Sequence, residues 1–105
     1  GFLEKVYLKA MYIELTAMGL RAEKEKRILV YYFGSLVGDY NADLIVEDLV
    51  AAELKAIETL VPDNEHQIVC YLKATNIEVG LLLNFGKKPQ VKRKIFDNEK
   101  KPILK

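Results

Sequence analysis

A chain of 105 residues, half of them apolar and 30% charged, can build one domain around a single core. Its lone cysteine, Cys70, excludes an internal disulfide framework and suits a reducing cytoplasm, and with His66 as the lone histidine the composition argues against a Cys/His zinc site. The net charge of +1 hides an asymmetry: residues 1–86 carry 8 basic and 13 acidic groups, and residues 87–105 carry 8 basic and 2 acidic ones. Such a basic end is either a solvated tail or a contact for a phosphate backbone, with Lys87, Lys88, Lys92 and Arg93 as the candidates. No apolar run approaches the roughly 20 residues needed to span a bilayer, so no membrane and no signal peptide are expected.

In chain order, Phe2 to Met18 reads as a helix with two apolar stripes. Leu3, Val6, Tyr7, Ala10, Ile13 and Ala17 form one; Leu8, Met11, Tyr12 and Leu15 form the other. Apolar on two sides, this helix is expected to lie buried across a sheet. Glu4 falls in its first turn, where the helix dipole favours a negative charge, and Gly19 is a natural C-cap. The chain opens at Gly1 without a methionine, and an upstream segment is expected to be missing. Arg21 to Lys26 is a charged lead into a β-branched and aromatic strand, Ile28 to Phe33. Gly34 and Ser35 turn the chain into a second strand, Leu36 to Val46, with a bulge at Gly38 and Asp39 and with Asp39 as an exposed turn residue.

From Asn41 to Ile57 the chain reads as two strands joined by a tight turn through Glu47 and Asp48. Alternation puts Ala42, Leu44 and Val46 on one face, with Asn41, Asp43 and Ile45 on the other. In the third strand, Leu49 to Ile57, Val50, Ala52 and Leu54 are the apolar set, while Ala51, Glu53, Lys55 and Ile57 face the opposite side. Glu53 and Lys55 are therefore neighbours, and the hairpin can bring Asp43 to them. A carboxylate in so apolar a run costs several kcal/mol unless it is paired or holds a cation. Two carboxylates and a lysine suit a hard divalent metal with an ammonium beside it; the simpler alternative is a Glu53–Lys55 ion pair at a sheet edge.

Pro62, Asp63 and Asn64 announce a second helix, capped by Asp63 or Asn64 and running to about Thr75, with Gln67 and Tyr71 on one face. Val79 to Phe85 is an apolar run typical of an interior strand. Gly86 to Pro89 turns the chain into a lysine-protected edge strand, Val91 to Phe96. The third and fourth strands flank a crossover helix and should be parallel neighbours. The expectation is a single α/β domain over 1–105 with a mixed sheet in αβββαββ order and a frayed tail from 97 to 105.

Several motifs agree with this order. Asp43, nine residues, then Glu53-Leu54-Lys55 resembles the metal-binding core of the PD-(D/E)XK nuclease superfamily, with Ala42 where that motif's proline can stand. Gln67 to Tyr71 resembles the QxxxY element of its helicase-associated exonuclease branch. Gly1, Glu4 and Tyr7 match the signature of the GxxExxY proteins, a family assigned to the same superfamily, and the segments AAELKAIETL, QIVCYLKAT and GLLLNFG follow that family's pattern.

The resemblance implies a restriction-endonuclease-like core and metal-dependent hydrolysis of phosphodiester bonds in DNA or RNA, with Mg or Mn as cofactor. It implies Asp43 and Glu53 as metal ligands, the Leu54 carbonyl as a further one, and Glu4 as an additional metal-facing acid. Lys55 would orient or deprotonate the attacking water, or stabilise charge on the phosphate. Gln67 and Tyr71 would position a phosphate. The chain departs from the family in having Asn64 where a histidine is common, while His66 is expected to face outward. Two other readings stand beside this one: a nuclease fold that binds nucleic acid or protein without cleaving, and a homodimer packed through helix 2–18.

Overall fold

A computed structural model of the chain describes residues 2–101. Helix α1 (Phe2–Ala17) leads into β1 (Ala22–Tyr32), β2 (Ser35–Val46) and β3 (Val50–Lys55). A 3-10 turn (Pro62–Glu65) opens α2 (His66–Ala74), followed by β4 (Val79–Asn84), β5 (Gln90–Ile95) and a 3-10 turn (Asn98–Lys100). The five strands form one sheet in the order β1-β2-β3-β4-β5, with β3 and β4 parallel and every other pair antiparallel. This is the mixed α/β architecture expected from the order of elements. Two-residue and 3.6-residue periods in the apolar positions were enough to set it.

The helices cover opposite faces of the sheet. Leu8 of α1, with Met11, Tyr12 and Leu15 behind it, packs on Leu44, Ala52, Leu54 and Leu83. Ile68, Tyr71 and Leu72 of α2 pack on Ala42, Ile45 and Ala51. Gly80 permits that approach, since a Cβ there would lie 2.8 Å from Ile68 Cγ1.

Several expectations are corrected. Helix α1 is buried along one stripe, not two: Phe2, Leu3, Val6 and Ile13 are exposed, because the sheet lies on one side of the helix only. The charged lead 22–26 is part of β1, where side chains on a strand over a half-covered face can stay in water. Asp39 is not in a turn; it sits within β2 and holds the Arg27 guanidinium through two hydrogen bonds of 2.6 and 2.7 Å. The bulge falls beside it, where the register shifts between Val30 and Tyr31. Asn64 does not cap α2; its Oδ1 accepts the Val61 N–H at 2.7 Å and closes the preceding 3-10 turn. The chain is held past Asp97: Asn98 donates to Glu78 and Asn76, and the Lys101 ammonium donates to the carbonyls of Thr75 and Ile77. The remainder of the expected tail, 102–105, and Gly1 lie outside the described residues.

Beyond β3 the chain is clasped rather than loose. Asn84, 2% exposed, accepts the Ile57 N–H at 3.0 Å and donates to its carbonyl at 2.9 Å. Gln90 Oε1 accepts from Asn84 and from Leu60. Gly86 passes so close that a Cβ there would overlap the Ile57 carbonyl. Gly86→Ala should therefore force this clasp apart and cost about 3 kcal/mol, the upper end of the range for overpacking. Gly34→Ala, in open space at φ +81°, should cost only the left-handed backbone penalty of about 1–2 kcal/mol. Urea titrations of the two variants check the difference, and equal losses would contradict it.

Candidate functional site

The site begins with a crease in the sheet. Along β2, Ala42 packs with Ile45 and the α2 residues, whereas Leu44 packs with the α1 residues. Simple alternation placed Ala42 and Leu44 on one face, and the structure overturns this: the strand changes face between them, at Asp43. The same change occurs in β1. Lys24 and Lys26 pair with Leu44 and Ala42, and Glu25 between them has a left-handed φ of 53°. The β2–β3 ladder has only three pairs, Val46–Val50, Ile45–Ala51 and Leu44–Ala52, so the two strands part as Asp43 is reached. Across that opening Asp43 Oδ2 accepts the Leu54 N–H at 2.7 Å. A backbone donor that would have served the ladder thus fixes the carboxylate, and its second oxygen remains available to a ligand.

Glu53 and Lys55 lie on the face of β3 that bears Ala51, as alternation predicted. Lys55 Nζ stands 3.5 Å from Glu53 Oε1, so the ion pair exists, but on a central strand and not at a sheet edge. Glu53 is 8% exposed, and its Oε2 is buried with no hydrogen-bond partner. An orphaned carboxylate oxygen in such a place is costly unless a cation or a donor meets it.

Electrostatics joins these groups into one cluster. Burial raises the pKa of Asp43 above the usual carboxylate range; the Leu54 hydrogen bond opposes this, and the charges of Glu4 and Glu25 add to it. Burial likewise raises that of Glu53, against the pull of Lys55 and with the push of Asp43 and Glu4. Glu4 and Lys55 each act on both acids. A cleft of about 110 Å³ lined by Glu4, Lys5, Leu8, Glu25 and Asp43 opens at the crease. Among the described residues, no three acidic, histidine or cysteine side chains are gathered closely enough to enclose a metal ion by themselves. Asp43 and Glu53 offer carboxylate oxygens, the kind of donor a hard divalent ion takes alongside several waters. Glu4 shares the field of that set without completing a triad.

Glu25 was not foreseen. In the run Glu-Lys-Glu-Lys it looks like any solvated strand position, and only its left-handed backbone opposite Asp43 marks it out. Of the other candidates, Gln67 donates to the Asn41 carbonyl at a long 3.4 Å, two residues from Asp43. Tyr71, expected at a phosphate, is 2% exposed and packs beneath Ala42, because its face of α2 is the one that meets the sheet. His66 is set against Cys70, with Nε2 3.5 Å from the thiol. Lys87, Lys88, Lys92 and Arg93 are exposed and make no ion pair among the described residues. Lys92 lies in the same cross-sheet row as Leu82 and Glu53, so those three share a face, while Arg93 points to the other side. The neighbouring Lys94 is held by Glu65.

A mixed sheet flanked by two helices, with an aspartate at the parting of two strands and Glu-x-Lys on the next, defines a nuclease-type α/β core. The family model for the PD-(D/E)XK nuclease superfamily matches residues 1–94, and the chain belongs to that superfamily. A solved structure titled "Crystal structure of SSO0001" superimposes with a TM-score of 0.69 at 16% identity, over 90% of this chain and 51% of that one. The chain thus spans about half the length of that protein, and the likeness is one of fold. No curated protein matches the chain. Among the described residues no helix is long and apolar enough to cross a membrane.

The raised acids make stability depend on pH. The folded chain keeps protons on Asp43 and Glu53 above their ordinary values of 3.8 and 4.5, so between those values and the raised ones it binds more protons than the unfolded chain. Stability from these groups is accordingly greatest in acid and falls as pH rises through the carboxylate range. Without metal, Glu53→Gln should gain relative to the parent at pH 7 by about 1–3 kcal/mol. That advantage should shrink toward pH 4, where Glu53 is itself neutral. Thermal melts of both proteins across this range check it; a constant difference would contradict the assignment.

Proposed function

We propose that the chain hydrolyses phosphodiester bonds of DNA or RNA where Asp43, Glu53 and Lys55 meet. The observation that carries this reading is Glu53 Oε2, buried and without a partner beside a second carboxylate. Asp43, Glu53 and the carbonyl of Leu54 would hold a Mg or Mn ion. Such an ion makes a water acidic near neutral pH and offsets the charge that develops on the phosphoryl oxygens. The protein's own part is orientation. The Leu54 N–H keeps Asp43 in one rotamer, and Glu53 holds the Lys55 ammonium 3.5 Å away, ready to donate to a phosphate oxygen or to align the water.

Gln67 could turn to a phosphate at little cost, since its 3.4 Å bond to Asn41 is weak. Tyr71 contributes by packing under the crease. Lys87, Lys88, Lys92 and Arg93 are proposed as peripheral backbone contacts, a role for which the shared row of Lys92 and Glu53 speaks most directly. Membership of the GxxExxY family is part of the same proposal. In support, Glu4 lines the cleft, and Tyr7 stacks on Phe85 with ring centroids 4.4 Å apart, pinning the first turns of α1 to the end of β4 beside the site.

Cleavage of a labelled oligonucleotide in Mg²⁺ should fall about 10²–10³-fold in Asp43→Ala and in Lys55→Ala. Cleavage that survives either change would overturn the proposal. A non-catalytic nucleic-acid-binding module is the second reading, favoured by the exposed cations of β5 and the incomplete acid cluster. Binding without turnover, indifferent to Glu53→Gln, would select it. A homodimer through the exposed apolar stripe of α1 is a companion proposal, and a single monomeric species in sedimentation at all concentrations would remove it.

A further inference from the structure

The cleft at Asp43 does not end there. It continues between α1 and β1 into a second hollow of about 190 Å³ lined by Lys5, Leu8, Lys9, Lys24 and Glu25. Lys5, Leu8 and Glu25 border both hollows, so the two form one trough. Its ends differ in sign: Glu4 and Asp43 line only the inner hollow, Lys9 and Lys24 only the outer, and Lys5 and Glu25 stand where the two join. Lys5 and Lys9 stand one helical turn apart on α1 and so project along the same side. Lys24 reaches across from β1, its ammonium 4.7 Å from the centre of the Tyr12 ring, which fixes the stem without neutralising the charge. None of the three makes an ion pair among the described residues, in a part of the chain where acids outnumber bases.

We infer that this trough is the track for a nucleic-acid strand, with Lys5, Lys9 and Lys24 holding the phosphates next to the one at Asp43. A phosphodiester chain is the ligand whose charge fits both ends: anionic groups in series meet the lysines, and one of them meets a cation held by the acids. The hollows are small, about 110 and 190 Å³, which suits the backbone of one strand and not a whole duplex. The inference rests on the phosphodiesterase reading for its inner end only. The lysine contacts do not require turnover, and they deepen that reading by naming the groups that place the substrate. The basic segment after residue 86 becomes an auxiliary surface, lying at the opposite edge of the sheet from β1.

The test is binding of a fluorescein-labelled 20-nucleotide oligo-dT to the whole chain in EDTA, over a series of salt concentrations. The triple variant Lys5→Gln, Lys9→Gln, Lys24→Gln should bind at least tenfold more weakly at low salt. Its log-log salt slope should be shallower by about 2, from roughly 0.7 per phosphate contact on a single strand. The double variant Lys26→Gln, Lys73→Gln removes the same kind of charge on the α2 side of the sheet, away from the trough and outside the basic segment after residue 86, and should keep the parent slope. A triple variant that binds like the parent, a loss shared equally by the double variant, or no binding by the parent at all would each overturn the inference. Because no metal is present, absent cleavage in the previous assay leaves this result intact, and a failure here leaves cleavage by Asp43 and Lys55 open to its own test.

Discussion

The hydrogen bond from the Leu54 N–H to Asp43 is the contact around which the site is built. Adjacent antiparallel strands ordinarily exchange backbone bonds along their whole length. Here β2 and β3 do so for three residue pairs and then part, and a side chain takes over one of the freed donors. Parting creates room at the middle of the sheet, where burial is deepest. The change of face at Asp43 and Glu25 turns that room toward α1, and the charge of Asp43 is felt by Glu53 on β3.

The cost of that arrangement is electrostatic. Two carboxylates titrate above their normal range because burial penalises their charge, and further acids, Glu4 above all, act on them. One ammonium, Lys55, lies within reach and contacts a single oxygen of Glu53. A protein interior seldom keeps such an imbalance without a use for it. Membership of the PD-(D/E)XK superfamily agrees with the cation proposed there, and the lysines of the trough agree with the proposed path for an anion.

Much of the fold was legible because apolar period reports burial directly. The sixteen residues of α1, the parallel β3–β4 pair and the charged edge strand follow from spacing alone. Asp43, Glu53 and Lys55 stood out because charge in an apolar run is conspicuous. What stayed hidden depended on departures from period. Alternation assumes a strand keeps its faces, so it misplaced Ala42 and passed over Glu25. An apolar stripe says that a surface wants cover without saying that the sheet provides it, and so α1 looked buried on two sides. Asn84, inside the run Val79 to Phe85, gave no sign that it would clasp Ile57 across 27 residues.

The most direct measurement of the central claim is a crystal of the protein soaked in Mn²⁺, with the ion located by its anomalous scattering. The account predicts density between Asp43 and Glu53, in contact with Glu53 Oε2 and lost in Glu53→Gln crystals. Manganese bound elsewhere only, or Glu53 Oε2 satisfied by an ordered water with no ion beside it, would contradict it.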